Sequence, residues 1–197
     1  FRLSARDAGQ ILKGFEITDS ISDGHLKIDG KITGAGLKEV TNTNILIENF
    51  GVKDAPLFTQ ILNATSLVGL VNTLRGKGIR FETLRANVNF TPNKIEIKDS
   101  FASGTSLGVS TEGAIDRNSD QISIKGMIVP AYILNRIIDQ IPVVGRILTG
   151  GRKEGLLAAE YLISGTKGEP EVSVNPLTAF TPGFLRAFVK ATRKPLE

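Results

Sequence analysis

The sequence predicts an α+β domain in which a curved antiparallel β-sheet of about eight strands, a meander with a groove-like face, carries amphipathic helices packed on it. Apolar and polar residues alternate with a period of two in several segments, most densely between residues 79 and 129. Turn residues recur there at intervals of about a dozen, the spacing of a meander. Apolar residues at helical spacing predict helices near residues 5 to 15, 55 to 75, 130 to 148 and 176 to 190.

The first predicted helix has a start signal of its own. Ser4 can cap it, with Asp7 three residues later in the manner of a capping box. Ile11, Leu12 and Phe15 then fall on one side. The second helical region begins at Pro56, a residue suited to the first turn of a helix, and ends before Gly76 and Gly78.

The predicted strands change parity once in the middle of the chain. Ile79 and Phe81 set one alternation, whereas Val88 and Phe90 belong to the other. A β-bulge near Glu82 and Thr83 would put both sets on one face. Ile95, Ile97, Ile122 and Ile124 continue the alternation in the strands that follow.

The segment from residue 126 to 165 predicts a strand, a helix starting at Pro130, an apolar elbow and another strand. Arg136, Asp139 and Arg146 interrupt its apolar run, so it is too short to span a bilayer, which needs about 20 mostly apolar residues. Two interpretations stay open. The helix either covers the sheet as part of the core or touches a membrane surface.

A second amphipathic segment lies near the end of the sequence. Phe184, Leu185 and Phe188 share a helical face, with Arg186 and Lys190 beside it. An interfacial helix inserts its rings while cations meet anionic headgroups, so these five residues are candidates for membrane or partner contact. A terminal helix docked on its own sheet is the alternative.

Composition limits the class of function. With 197 residues, of which 41% are hydrophobic and 22% charged, the chain can bury a substantial core and is treated as one domain, residues 1 to 197. The domain comprises helix-plus-meander units at 1–53 and 54–129, a central helical element at 130–155 and a terminal part at 156–197. The formal charge is +4, but the cations are scattered and not interleaved with aromatic residues, which disfavours nucleic-acid binding.

The sequence offers little for catalysis. It contains no cysteine and one histidine, His25, so neither thiol chemistry nor a histidine-paired nucleophile or metal site is indicated. A lone histidine beside a turn is more often solvated than functional. We therefore predict no enzyme activity, no cofactor and no metal.

An ordered series of short motifs resembles the C-terminal region of AsmA-like proteins, especially their YhdP-type branch. The series covers nearly the whole chain, and its order is more specific than any one motif. The motifs are DAG at 7–9, IENF at 47–50, DAP at 54–56, GIRF at 78–81, IVPAYILN at 128–135, IPVVG at 141–145, LTGG at 148–151, EGL at 154–156, VSVNPL at 172–177 and PGFLR at 182–186.

The resemblance implies a periplasmic protein of Gram-negative bacteria, anchored in the inner membrane by an N-terminal helix that would precede this sequence. Members of the family extend through the periplasm as a long β-sheet rolled into a groove and are associated with moving phospholipid towards the outer membrane. The expected ligand is phospholipid. The C-terminal end would lie nearest the inner leaflet of the outer membrane or an envelope protein there.

A lipid groove requires a continuous apolar face, because each buried CH₂ contributes only about 0.8 kcal/mol. The alternating strand residues are the predicted lining, although any one of them could equally face a core closed by the helices. An alternative function is a non-catalytic docking module for envelope integrity or outer-membrane protein assembly. The predicted lipid-binding residues are Ile79, Phe81, Val88, Phe90, Ile95, Ile97, Ile122 and Ile124.

Overall fold

The computed structural model of the chain describes residues 1–65, 67–131 and 158–177. Within these ranges nine strands form one open antiparallel sheet, in which each strand pairs with the next along the chain. The strands are β1 (Arg2–Ala5), β2 (Ile21–Thr33), β3 (Val40–Val52), β4 (Ile79–Phe90), β5 (Lys94–Ser103), β6 (Leu107–Asp116), β7 (Gln121–Pro130), β8 (Ala158–Thr166) and β9 (Pro170–Leu177).

Three short helices pack on this sheet: α1 (Ala8–Gly14), α2 (Pro56–Ala64) and α3 (Val68–Arg75). Pro56 occupies the first turn of α2, where its missing N–H has no intrahelical partner to lose. Among the described residues, no helix has the length and hydropathy needed to cross a bilayer.

The helices lie on one face of the sheet and form the core with it. Side chains directly opposite each other on paired strands share a face, and Leu26 on β2 is opposite Ile47 on β3. Both are almost completely buried, and they belong to one cluster with Leu62 of α2 and Leu74 of α3. We call this side of the sheet the helix-bearing face.

Helix α2 shows that the sheet is curved. The ring of Phe58 on α2 lies 6.5 Å from the ring of Phe81 on β4, and α2 also packs against β9. These two strands are five positions apart, about 24 Å along a flat sheet at the usual strand spacing. Helix α2, with nine residues, is only about 14 Å long and about 10 to 12 Å wide, so the sheet must curl around it. The helix-bearing face is therefore concave, and the predicted fold class is confirmed.

The N-terminal region corrects the prediction in two ways. Residues 2 to 5 form β1, which pairs with Asp29 to Leu26 of β2, so Ser4 lies in a strand and caps no helix. The N-cap of α1 is Asp7, whose side chain accepts a hydrogen bond of 2.9 Å from the backbone N–H of Gln10. The sheet consequently has nine strands where about eight are predicted.

The change of strand parity is real, but its predicted cause is wrong. Phe81 and Leu84 both pack in the core, although β3 pairs with β4 in the same register on either side of Glu82. The change accompanies Asn49, which has a left-handed backbone (φ 58°) and stands in β3 opposite this point. An inserted residue occurs instead in β5, where the register with both neighbours shifts between Ile97 and Ser100.

Several predictions concern segments outside the described residues. Most of each helix predicted near residues 130 to 148 and 176 to 190 is among them. Of the residues that are described, Pro130 ends β7 instead of starting a helix, Ala131 follows it, and residues 176 and 177 end β9. The candidate contact residues Phe184, Leu185, Arg186, Phe188 and Lys190 also lie outside the described ranges.

Candidate functional site

Six of the eight predicted lining residues come together on the concave face. Val88 of β4 is opposite Ile97 of β5, and Ile97 is in turn opposite Gly113 of β6. Gly113 is opposite Ile124 of β7, which completes a first row across four strands. The row continues through Ile163 of β8 to Val172 of β9.

A second row runs beside the first, one side-chain position nearer the hairpin turns. Phe90 is opposite Ile95, Ile95 is opposite Ile115, and Ile115 is opposite Ile122. All four side chains are partly buried, neither sealed in the core nor fully exposed. We refer to these two rows together as the apolar rows.

The inserted residue in β5 is what aligns the apolar rows with the core. Ile97 and Ala102 are separated by five residues and would lie on opposite faces of a regular strand. Because the insertion falls between Ile97 and Ser100, both side chains lie on the concave face. Ala102 is buried under the helices, whereas Ile97 stays partly exposed beyond them.

The other two predicted lining residues lie in the core. Ile79 is 1% exposed and Phe81 is 4% exposed, and both belong to the cluster that α2 and α3 cover. Phe81 stacks on Phe50 of β3 with ring centroids 5.3 Å apart. Their surface is therefore occupied by the chain's own side chains. Of the eight predicted lining residues, the other six remain candidates, and all six lie in the apolar rows.

Three residues of the apolar rows lay outside the predicted set: Ile115, Ile163 and Val172. Ile115 could have been found, because it ends an alternation that precedes the turn at Asp116. The face on which Ile163 lies could not be predicted, because β8 has apolar residues at both odd and even positions around it.

The turn at Asp116 is fixed by the carboxylate of this residue, which accepts hydrogen bonds from the backbone N–H groups of Asn118 and Ser119. These bonds hold the pKa of Asp116 below its usual value.

Threonines bound the apolar rows on one side. On β3 the residues opposite Val88 and Phe90 are Thr43 and Thr41. Thr43 is 4% exposed, and its hydroxyl has no hydrogen-bond partner among the described residues. The continuous apolar surface therefore begins at β4.

Tyr161 of β8 separates the apolar rows from the helix-covered core. Its hydroxyl donates to the carbonyl oxygen of Ser110 at 2.8 Å and accepts from the hydroxyl of Thr111 at 2.7 Å. Burial raises the pKa of Tyr161 to about 12. Its ring lies over Gly126, the residue opposite it on β7, where the lack of a side chain leaves the necessary space.

The opposite face of the sheet is largely polar. Cross-strand ion pairs lie on it, with Lys27 Nζ 3.3 Å from Glu48 Oε2 and Lys125 Nζ 3.0 Å from Glu112 Oε1. The bond to Glu112 raises the pKa of Lys125. These side chains are well exposed, and such pairs contribute little stability. Several apolar side chains on this face are nevertheless buried, among them Leu46, Phe101, Met127 and Val129.

A charged cleft of about 330 Å³ lies at the other end of the strands, near the starts of β2 and β4. Arg80, one of its lining residues, bonds Asp23 at 2.9 Å and the carbonyl oxygen of Asn49 at 3.1 Å. Lys53 Nζ lies 3.8 Å from Asp54 Oδ2. The lining holds three cations and three carboxylates, and two of each are paired, so the cleft favours neither an anion nor a cation as ligand.

His25 is exposed on β2, opposite Glu48. Within residues 1–65, 67–131 and 158–177, no group of three or more histidine, cysteine, aspartate or glutamate residues could hold a metal ion.

Comparisons with protein-family models, with curated protein sequences and with solved structures find no match. The functional inference therefore rests on the geometry of the apolar rows and on the motifs of the sequence.

Proposed function

We propose that the apolar rows bind the acyl chains of phospholipid, and that the chain is the distal part of a periplasmic bridge carrying phospholipid between the inner and outer membranes. The observation that supports this most is the continuity of the rows. In the second row apolar side chains stand opposite one another on every strand from β4 to β7, and in the first row only Gly113 of β6 lacks one. Most of these side chains remain partly exposed beside a helix-covered core.

The dimensions of the rows fit an acyl chain. From β4 to β7 there are three strand spacings, or about 14 Å. One acyl chain of a bilayer spans half of its hydrocarbon core, or about 15 Å. A chain lying across the strands would therefore contact both rows along its whole length, and each CH₂ that leaves water contributes about 0.8 kcal/mol.

The surroundings of the rows suit an amphipathic ligand. On one side they adjoin the buried core, and on the other they adjoin the hairpin turns. These turns are polar, with Asn93 between β4 and β5 and with Arg117 and Asn118 between β6 and β7. An acyl chain can thus lie on the rows while its headgroup stays in water near the turns.

The larger role comes from the family resemblance. The resemblance to AsmA-like proteins implies the periplasmic location, the inner-membrane anchor and the outer membrane as destination. The open curved sheet is compatible with these features. The competing function is a docking module without lipid. One observation favours it: the helix-covered half of the concave face is filled by the chain's own side chains.

A charge placed on the rows tests the proposal. Ile124→Glu puts a carboxylate in the first row, and the matched control Ser123→Glu puts the same group on the opposite, exposed face of the same strand. After incubation with labelled phosphatidylethanolamine and removal of free lipid, native mass spectrometry counts the bound lipid. We expect the wild type and Ser123→Glu to bind, and Ile124→Glu to bind about tenfold more weakly or worse, because burying a charge is costly.

Circular dichroism of each variant establishes that the sheet is intact. A wild-type protein that binds no phospholipid, or equal binding by Ile124→Glu and Ser123→Glu, would overturn the proposal. The docking function would then be the better account.

A further inference from the structure

We propose that the turn between β2 and β3 inserts into a phospholipid surface and passes acyl chains between that surface and the apolar rows, an inference that rests on the proposed function. Two exposed apolar residues define this feature, which we call the apolar tip. Leu37 in the turn is 84% exposed, and Ile32 at the end of β2 is 57% exposed.

The apolar tip lies in line with the second of the apolar rows, with one threonine between them. Ile32 is opposite Thr41, which is opposite Phe90 of the second row. Ile32 therefore lies on the concave face in line with that row, one strand beyond the threonine on β3. The turn that carries Leu37 leaves the sheet at the end where the other turns beside the rows also lie.

More exposed apolar surface lies along the same edge. Leu3 of β1 is opposite Ile28, and the ring of Phe1 lies over Gly30. Leu3, Phe1, Ile32 and Leu37 thus follow one another along the edge of the concave face towards the turn. They are four of the seven large apolar side chains that are exposed among the described residues.

The shape and chemistry of the apolar tip fit a lipid surface. Leu37 projects from a short 3₁₀ turn, Gly36–Lys38, whereas binding to another protein requires a complementary pocket for each such side chain. A bilayer accepts a single projecting leucine because its acyl region adapts to it. Lys31 and Lys38 flank the exposed residues with Glu39 as the nearest acid, a local excess of one positive charge that suits anionic headgroups.

The chain's lack of tryptophan makes a direct test possible. Leu37→Trp places a single fluorescent reporter at the apolar tip. The matched control Phe15→Trp places one at a residue that is 70% exposed and follows α1. With vesicles of phosphatidylethanolamine and phosphatidylglycerol, we expect the emission of Leu37→Trp to shift to shorter wavelength and that of Phe15→Trp to stay unchanged.

The charged variants Leu37→Asp and Phe15→Asp complete the test in a flotation assay with the same vesicles. We expect vesicle binding to fall about tenfold or more for Leu37→Asp, because the exposed leucine that would enter the acyl region is lost, and to be unchanged for Phe15→Asp. Binding of a short-chain phospholipid presented below its micelle concentration should be normal in both variants, because neither residue lies in the apolar rows.

The outcomes separate this inference from the proposed function. A wild type that binds short-chain phospholipid but neither floats nor shifts the Leu37→Trp emission would overturn the membrane contact and leave lipid binding intact. Equal flotation of Leu37→Asp and Phe15→Asp would overturn it as well. A wild type that fails to bind short-chain phospholipid would overturn the proposed function itself.

Discussion

Gly126 offers a quantitative test of how the boundary of the apolar rows is built. A methyl group at this position would overlap the carbonyl oxygen of Ser110 and lie 2.5 Å from the hydroxyl of Tyr161. The overlap with Ser110 involves backbone, so no side-chain rotation relieves it. Overpacking of this kind costs about 1 to 3 kcal/mol. If Tyr161 moves away, its two hydrogen bonds are lost at about 1 kcal/mol each.

We therefore expect Gly126→Ala to lower the free energy of unfolding by about 3 kcal/mol or more. Urea denaturation followed by circular dichroism measures this value. Gly69→Ala is the matched control, because Gly69 lies in α3 with nothing within 4 Å of an added methyl group. It should raise the stability by about 0.5 to 1 kcal/mol through helix propensity. A Gly126→Ala protein as stable as the wild type would refute the packing described for Tyr161.

Two further substitutions test the interior. Because burial raises the pKa of Tyr161 from about 10 to about 12, the folded state disfavours the phenolate, so this contribution to stability is complete below pH 10 and is lost as the pH rises towards 12. Denaturation curves between these pH values should show that the free energy of unfolding of the wild type falls with rising pH, and that it falls less steeply for Tyr161→Phe. Equal slopes for the two proteins would contradict the burial of the phenol. Leu62 of α2 is fully buried between the helices and the sheet. We therefore expect Leu62→Ala to lower the free energy of unfolding, measured by urea denaturation, by about 2 to 5 kcal/mol. A loss below about 1 kcal/mol would contradict the packing of α2 in the core.

Most of the fold could be predicted because its strands alternate regularly. Ile122 and Ile124 have polar neighbours on each side, and the turn residues between strands place one strand beside the next. The short β1 was missed because four residues carry too little periodicity, and because Ser4 followed by Asp7 matches a helix start. The capping function belongs to Asp7 alone.

The candidate site was only partly predictable, for reasons of geometry. Alternation tells which residues share a face, but it does not tell what covers that face. Phe81 and Phe90 belong to the same strand, yet Phe81 lies under α2 while Phe90 lies beyond the helices. The inserted residue in β5, which aligns Ile97 with the core, depends on pairing with neighbouring strands and leaves no local signal in the sequence.

The central claim is that the concave side of β7 contacts acyl chain, and the absence of cysteine allows it to be measured residue by residue. Single cysteines at Ile122, Ser123, Ile124 and Lys125 report the rate of maleimide labelling with and without bound phosphatidylethanolamine. We predict that lipid slows labelling at residues 122 and 124 and leaves residues 123 and 125 unaffected. If bound lipid changed the labelling rate by the same factor at all four positions, the account would be contradicted.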